Sequence, residues 1–102
     1  MPAVKAILVT IIAESVLVPT LKDLVRQAGA TGYTIEEVAA GFGTHGSRPG
    51  HFESDQTTKI LVVVPQQIAH AIFEEIEQTL EPHYAITVFR HEVDVLMPLV
   101  TS

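Results

Sequence analysis

Residues 4–13 are apolar at nearly every position and rich in β-branched side chains, the pattern of a strand buried on both faces rather than one with a wet side. Leu17, Leu21, Leu24, Val25 and Ala28 then recur at helical spacing, with Pro19 early enough to be tolerated in a first turn and Gly29 placed to stop the helix. Residues 32–39 are rich in β-formers and predict a second strand. Residues 41–57 have four glycines, a proline and no periodicity of their own; they predict a long flexible loop, of the kind that in a small domain tends to carry function. Residues 58–64 form another buried apolar run closed by Pro65. In the helix expected after it, Ile68, Ala69, Ile72, Phe73, Ile76 and Leu80 line one face and Gln67, His70, Glu74, Glu77 and Gln78 the other, with Pro82 ending it. Residues 84–97 read as a final strand with Thr87, Phe89, His91, Val93 and Val95 on one face and Ile86, Val88, Arg90, Glu92 and Asp94 on the opposite one.

The order β-α-β-loop-β-α-β is that of an α+β, ferredoxin-like βαββαβ sandwich with both helices on one sheet face. Two helices cover only one face, yet the first and third strands are apolar on both. The exposed face therefore calls for self-association, the alternative being a monomer with an unusually apolar surface.

At 102 residues the chain has room for a single core. Six basic residues are scattered among twelve acidic ones, for a net charge of −6, and this leaves no basic patch for a nucleic-acid backbone. Cysteine is absent, which removes disulfides and thiolate metal sites. The apolar run near the start is too short for a membrane span and lacks a secretory cleavage pattern, so a cytoplasmic location is expected. No Gly-x-Ser-x-Gly elbow, Walker lysine or cysteine nucleophile occurs, and the pairs Glu36-Glu37 and Glu74-Glu75 project apart, so no enzymatic activity is expected.

The chemistry of the chain gathers in the long loop and the last strand. Glycines at 41, 43 and 46 allow close backbone approach and offer N–H groups to phosphate oxygens, and Arg48 can add a planar fork of donors. The same residues also suit a plain hairpin with a solvated arginine. Arg90 and His91 point to opposite sheet faces. Sharing a face with Glu92 and Asp94, Arg90 is either a second phosphate contact or half of a surface ion pair with one of those carboxylates. His45 and His51, with Glu53 and Asp55 nearby, match no zinc spacing and read as solvated.

The stretch Gly29-Ala30-Thr31-Gly32-Tyr33-Thr34 resembles the Gly-x-Thr-Gly-x-Thr signature of PII signalling proteins. Glu37-Val38 and Gly41-Phe42-Gly43 follow it much as in that family, with a one-residue difference in spacing, and Pro65 with the helix behind it also sits where the family has them. The resemblance spans most of the chain and implies a single PII-like domain over residues 1–102, a homotrimer that binds adenine nucleotides in clefts between subunits. Gly46-Ser47-Arg48 and Glu92-Val93-Asp94-Val95-Leu96 are similar to motifs of the branch associated with bicarbonate transport and carboxysomes. The nitrogen-regulatory members carry a glycine- and lysine-rich loop before the last strand and paired arginines near its end. Neither is present here, which favours AMP or ADP over ATP; cyclic AMP is a further ligand in this class. The long loop also lacks a tyrosine to modify.

By this resemblance the nucleotide site comprises Thr34, on the adenine edge, with Gly41, Phe42, Gly43, Thr44, His45, Gly46, Ser47 and Arg48 from the loop, and Arg90. It implies no obligatory cofactor and no catalytic or metal residue. Bicarbonate is a co-ligand near Arg48, and the partner is a bicarbonate transporter or carboxysome-related protein. Two other trimeric or regulatory classes share the architecture: divalent-metal-binding proteins of the cation-tolerance type and amino-acid-sensing ACT-type modules.

Overall fold

The computed structural model describes residues 3–38 and 56–96. The first apolar run forms β1 (Val4–Glu14), followed by a single 3₁₀ turn (Ser15–Leu17) and helix α1 (Val18–Ala28). Strand β2 is Thr34–Val38, β3 is Thr57–Val64, α2 is Gln66–Thr79 and β4 is Thr87–Val95. The sheet order is β2-β3-β1-β4, with every neighbouring pair antiparallel. This is the order of two interleaved split βαβ units and agrees with the ferredoxin-like expectation.

Several boundaries are tighter than the apolar pattern implies. Strand β2 begins at Thr34 and not Gly32, where its pairing with Leu61 starts. Thr57, expected as the last loop residue, opens β3 because it pairs with both Glu14 and Val38. Helix α2 ends at Thr79, short of Pro82, with the Leu80 amide donating to the Ile76 carbonyl as the cap. The final strand is Thr87–Val95, the stretch that has a partner in β1.

Residues opposite one another on paired strands share a face. Ile7, Val9, Ile11 and Ala13 of β1 therefore stand with Ile60, Val62 and Val64 of β3 and Val88 and Arg90 of β4 on one side. That side meets Leu17, Leu21, Leu24 and Val25 of the first helical segment and Ala69, Ile72, Ile76 and Leu80 of the second to form the core. Gln56 and Thr57 return the chain to the sheet, where the Ser15 amide donates to the Gln56 carbonyl at 2.8 Å and the Ser15 and Thr58 hydroxyls bond to each other.

Beyond the helices, the opposite face carries Leu8, Ile12, Leu61 and Val93, half-buried, with Val63 41% and Phe89 44% exposed. Thr10 lies in the middle of this face, 2% exposed, enclosed by its own neighbours. Lys59 and Glu36, opposite each other in register, place charge toward one end. His91, exposed opposite Leu8, and Thr87, opposite Ile12, add polar groups on β4; between them β1 and β3 present an apolar surface, as the doubly apolar strands predict.

Gly29 ends α1 in the left-handed region at φ 117°, with the Ala30 amide donating to the Val25 carbonyl and the Gly29 amide to Arg26 in a Schellman-type cap. A Cβ at Gly29 would also stand 3.1 Å from Ile68 Cδ1, a flexible tip able to give way. Gly29→Ala is therefore expected to lose about 1–2 kcal/mol, mostly from the backbone; denaturant unfolding of the two proteins measures it. Gly32 has open space around its Cα and no such backbone constraint, and Gly32→Ala should leave the same unfolding curve unchanged.

Candidate functional site

Of the residues named from sequence, Thr34 and Arg90 lie within the described part of the chain; Gly41, Phe42, Gly43, Thr44, His45, Gly46, Ser47 and Arg48 lie outside the described residues. His51, Glu53 and Asp55 do as well. Among the described residues no group of three or more His, Cys, Asp or Glu side chains is placed to hold a metal ion.

Thr34 is exposed at the first position of β2. The preceding Tyr33 is half-buried against the core, and the Lys22 ammonium lies 5.9 Å from its ring centre. The entry to β2 is thus anchored to α1, which fixes where the Thr34 hydroxyl is offered. In register, Thr34, Leu61, Thr10 and Phe89 form one row across the helix-free face.

Arg90 occupies the opposite edge, on β4, and the opposite face. It shares a row with Val9 and Val62 on the helix side. Its guanidinium carbon lies 4.6 Å from the centre of the Phe73 ring on α2. No ion pair forms between Arg90 and the carboxylates of its own stripe among the described residues: Asp94 meets Lys5 across the strand pair at 3.2 Å instead. A guanidinium over an aromatic face is attracted by the ring quadrupole. Its N–H donors lie in the plane of the guanidinium.

Arg90, Gln66, Gln67 and His70 line a cleft of about 390 Å³ between β4 and the first turns of α2. The glutamines and His70 follow one another at one- to four-residue steps on the exposed flank of the helix, and the same flank leads on to Phe73. His70 Nε2 also meets Glu74 at 3.4 Å, an exposed i,i+4 contact. Sequence reading placed Gln67 and His70 on the polar side of this helix but had no way to set them beside Arg90.

Thr34 and Arg90 are separated by three inter-strand spacings, about 14 Å, and by the sheet itself. One chain cannot bring both to the same side of a ligand. Two chains with β2 of one near β4 of the next can.

The chain matches the sequence model of the family described as nitrogen regulatory protein P-II over residues 6–98. It is similar to a solved PII-like signalling protein from Thermus thermophilus, with 35% identity, coverage of 94% of each chain and a TM-score of 0.80. It is similar as well to CPII from Thiomonas intermedia bound to ADP and bicarbonate, at 29% identity over 91% of this chain and 90% of that one, TM-score 0.78. A further structure of that protein, with ADP, AMP and bicarbonate, has 29% identity over the same shares and a TM-score of 0.79. The GlnK–ATP complex of B. subtilis, 18% identical with a TM-score of 0.64 and coverage of 87% and 82%, shares the fold. No curated protein sequence matches the chain.

Proposed function

This chain belongs to the nitrogen regulatory protein P-II family, and from that premise we propose that it is an adenine-nucleotide sensor that binds ADP or AMP between subunits of a homotrimer. PII-like proteins are signalling proteins and are typically trimers. The observation that carries the reading is the likeness to CPII, solved with ADP, AMP and bicarbonate, over nine-tenths of this chain. The apolar helix-free face supports assembly, because burying it removes exposed Val63 and Phe89 from water. The placement of Thr34 and Arg90 on opposite edges and faces supports a cleft completed by a second chain.

In this reading Thr34 meets the adenine edge, the segment from Gly41 to Arg48 and Arg90 meet the phosphates, and bicarbonate joins the nucleotide near Arg48. Ligand binding shifts the population of loop states and so alters the surface offered to a protein partner; that shift requires the loop to contact ligand in one state only. The partner we propose belongs to inorganic-carbon uptake or the carboxysome, and the protein acts in the cytoplasm. Among the described residues no helix is long and apolar enough to cross a membrane.

Titration calorimetry with ADP, AMP, ATP, bicarbonate, an amino-acid panel and Zn²⁺ tests the reading. Saturable heat with ADP or AMP, enhanced or altered by bicarbonate, is expected. Saturation by Zn²⁺ or by one amino acid, with no response to any adenine nucleotide, would move the protein to a metal-binding or amino-acid-sensing class.

A further inference from the structure

The apolar part of the helix-free face carries a single ionisable side chain among the described residues. His91 is exposed there, in one row across the strands with Leu8 of β1 and Val63 of β3. Its neighbours on that face are Phe89 and Val93 along β4, with Ala6 and Thr10 on either side of Leu8. None of these ionises. Among the described residues no hydrogen bond or ion pair engages the imidazole. The charged side chains of this face stand elsewhere: Lys59 of β3 and Glu36 of β2 oppose each other in the row of Ile12, and Glu14 ends β1. Ile12 lies about 13 Å farther along β1 than Leu8. Lys5, Arg90, Glu92 and Asp94 belong to the helix side. Both helices pack on that side as well, so neither brings a charge to His91.

We infer that His91 makes the assembly pH-sensitive: neutral, it is enclosed between copies of this chain, and protonated, it drives them apart. This rests on the trimeric reading above, in which further copies of the chain cover the helix-free face. A neutral imidazole is readily enclosed beside Leu8, Phe89 and Val93, whereas an imidazolium taken out of water with no carboxylate beside it on this face is costly. Histidine in water takes up its proton near pH 6.5. The separated chain therefore binds a proton that the assembly excludes. By linkage, assembly is tightest above that value and weakens as pH falls through it. Between pH 8 and pH 5.5 each excluded proton weakens assembly about tenfold, so three together raise the trimer dissociation constant by up to about a thousandfold. Because the proposed nucleotide cleft lies between copies, acidification releases ADP or AMP as well. The proton is then a second input to the same sensor.

Sedimentation equilibrium of the full chain without nucleotide, at pH 8 and pH 5.5, tests this, with far-ultraviolet circular dichroism to follow folding. The parent should be a trimer at pH 8 and dissociate toward folded monomers at pH 5.5. His91→Gln, neutral at both values, should keep one dissociation constant throughout. His91→Arg carries its charge at every pH and should assemble as loosely at pH 8 as the parent does at pH 5.5. His83, exposed beyond the end of α2, serves as the control: His83→Gln should keep the parent's response. A parent trimer equally tight at both pH values would overturn the switch and leave the trimer standing. The same acid response in the parent and His91→Gln, whether dissociation or unfolding, would also remove it, as would a tight His91→Arg trimer at pH 8. A His91→Gln chain that does not assemble at pH 8 would make the imidazole a required contact rather than a charge the interface rejects, and the switch would fall. A parent that is monomeric at pH 8 would overturn the trimeric reading itself.

Discussion

Val63→Glu should turn the trimer into folded monomers. Val63 lies on β3 in the middle of the helix-free face, opposite Leu8, and is 41% exposed within one chain. In the isolated chain the new carboxylate reaches water, so the cost is that of an ordinary surface change, within about 0.5–1 kcal/mol. In an assembly that buries this face, three carboxylates would be drawn out of water without partners, at several kcal/mol each. Dissociation is the cheaper outcome. Light scattering at micromolar concentration should give a trimer mass for the parent and a monomer mass for the variant, with far-ultraviolet circular dichroism unchanged. A trimer that survives Val63→Glu would mean that the copies meet through another surface. A parent that is itself monomeric would remove the inter-subunit cleft.

The second large effect is expected at Arg48. If its guanidinium pairs with a phosphate, the bond is charge-assisted and contributes about 1.5–3 kcal/mol. Arg48→Ala should then raise the ADP dissociation constant by about one to two powers of ten, while adenosine, which has no phosphate, binds as before. Thr34→Val should behave differently. A neutral hydrogen bond to the base contributes about 0.5–1.5 kcal/mol, so adenosine, AMP and ADP should all weaken by roughly two- to tenfold. Thr34 is exposed at the head of β2 and its side chain supports no core contact, so neither stability nor trimer mass should move. Calorimetry of the three ligands on both variants separates base from phosphate. Parental ADP affinity in Arg48→Ala, or equal loss of adenosine in that variant, would remove Arg48 from the phosphate site.

Sequence order and periodicity carried much of this fold. Leu17, Leu21, Leu24 and Val25 on one helical stripe, and Ala69, Ile72 and Ile76 on another, point where the core later has them, because helical spacing leaves a side chain only one buried direction. The alternation in β4 likewise assigns Arg90 and His91 to opposite faces from sequence alone. Ends of elements were less legible. Thr57 belongs to β3 and Gly32 to no strand because strand ends are set by which residues find partners, and Glu14, Val38 and Leu61 are far away in sequence.

The site divides the same way. Residue types were enough to nominate the glycine-rich segment and Arg90, since a glycine spacing or a lone arginine can be read locally, whereas Thr34 was nominated by the resemblance of Gly29–Thr34 to the PII signature. The sequence also pointed to a sheet face in need of a cover, because apolar residues stand at both parities of β1 and β3, the alternative being a monomer with an unusually apolar surface. Only the tertiary structure decided that Arg90 rests on Phe73 rather than on Glu92 or Asp94, that Asp94 turns to Lys5, and that Gln66, Gln67 and His70 share a cleft with Arg90. The Asp94–Lys5 pair follows from the β1–β4 register, whereas the Arg90–Phe73 contact and the shared cleft depend on the height at which α2 lies along β4. That height is set by the packing of Ala69, Ile72 and Ile76 against the sheet, a sum of many weak contacts between segments distant in the chain, and no local pattern records it.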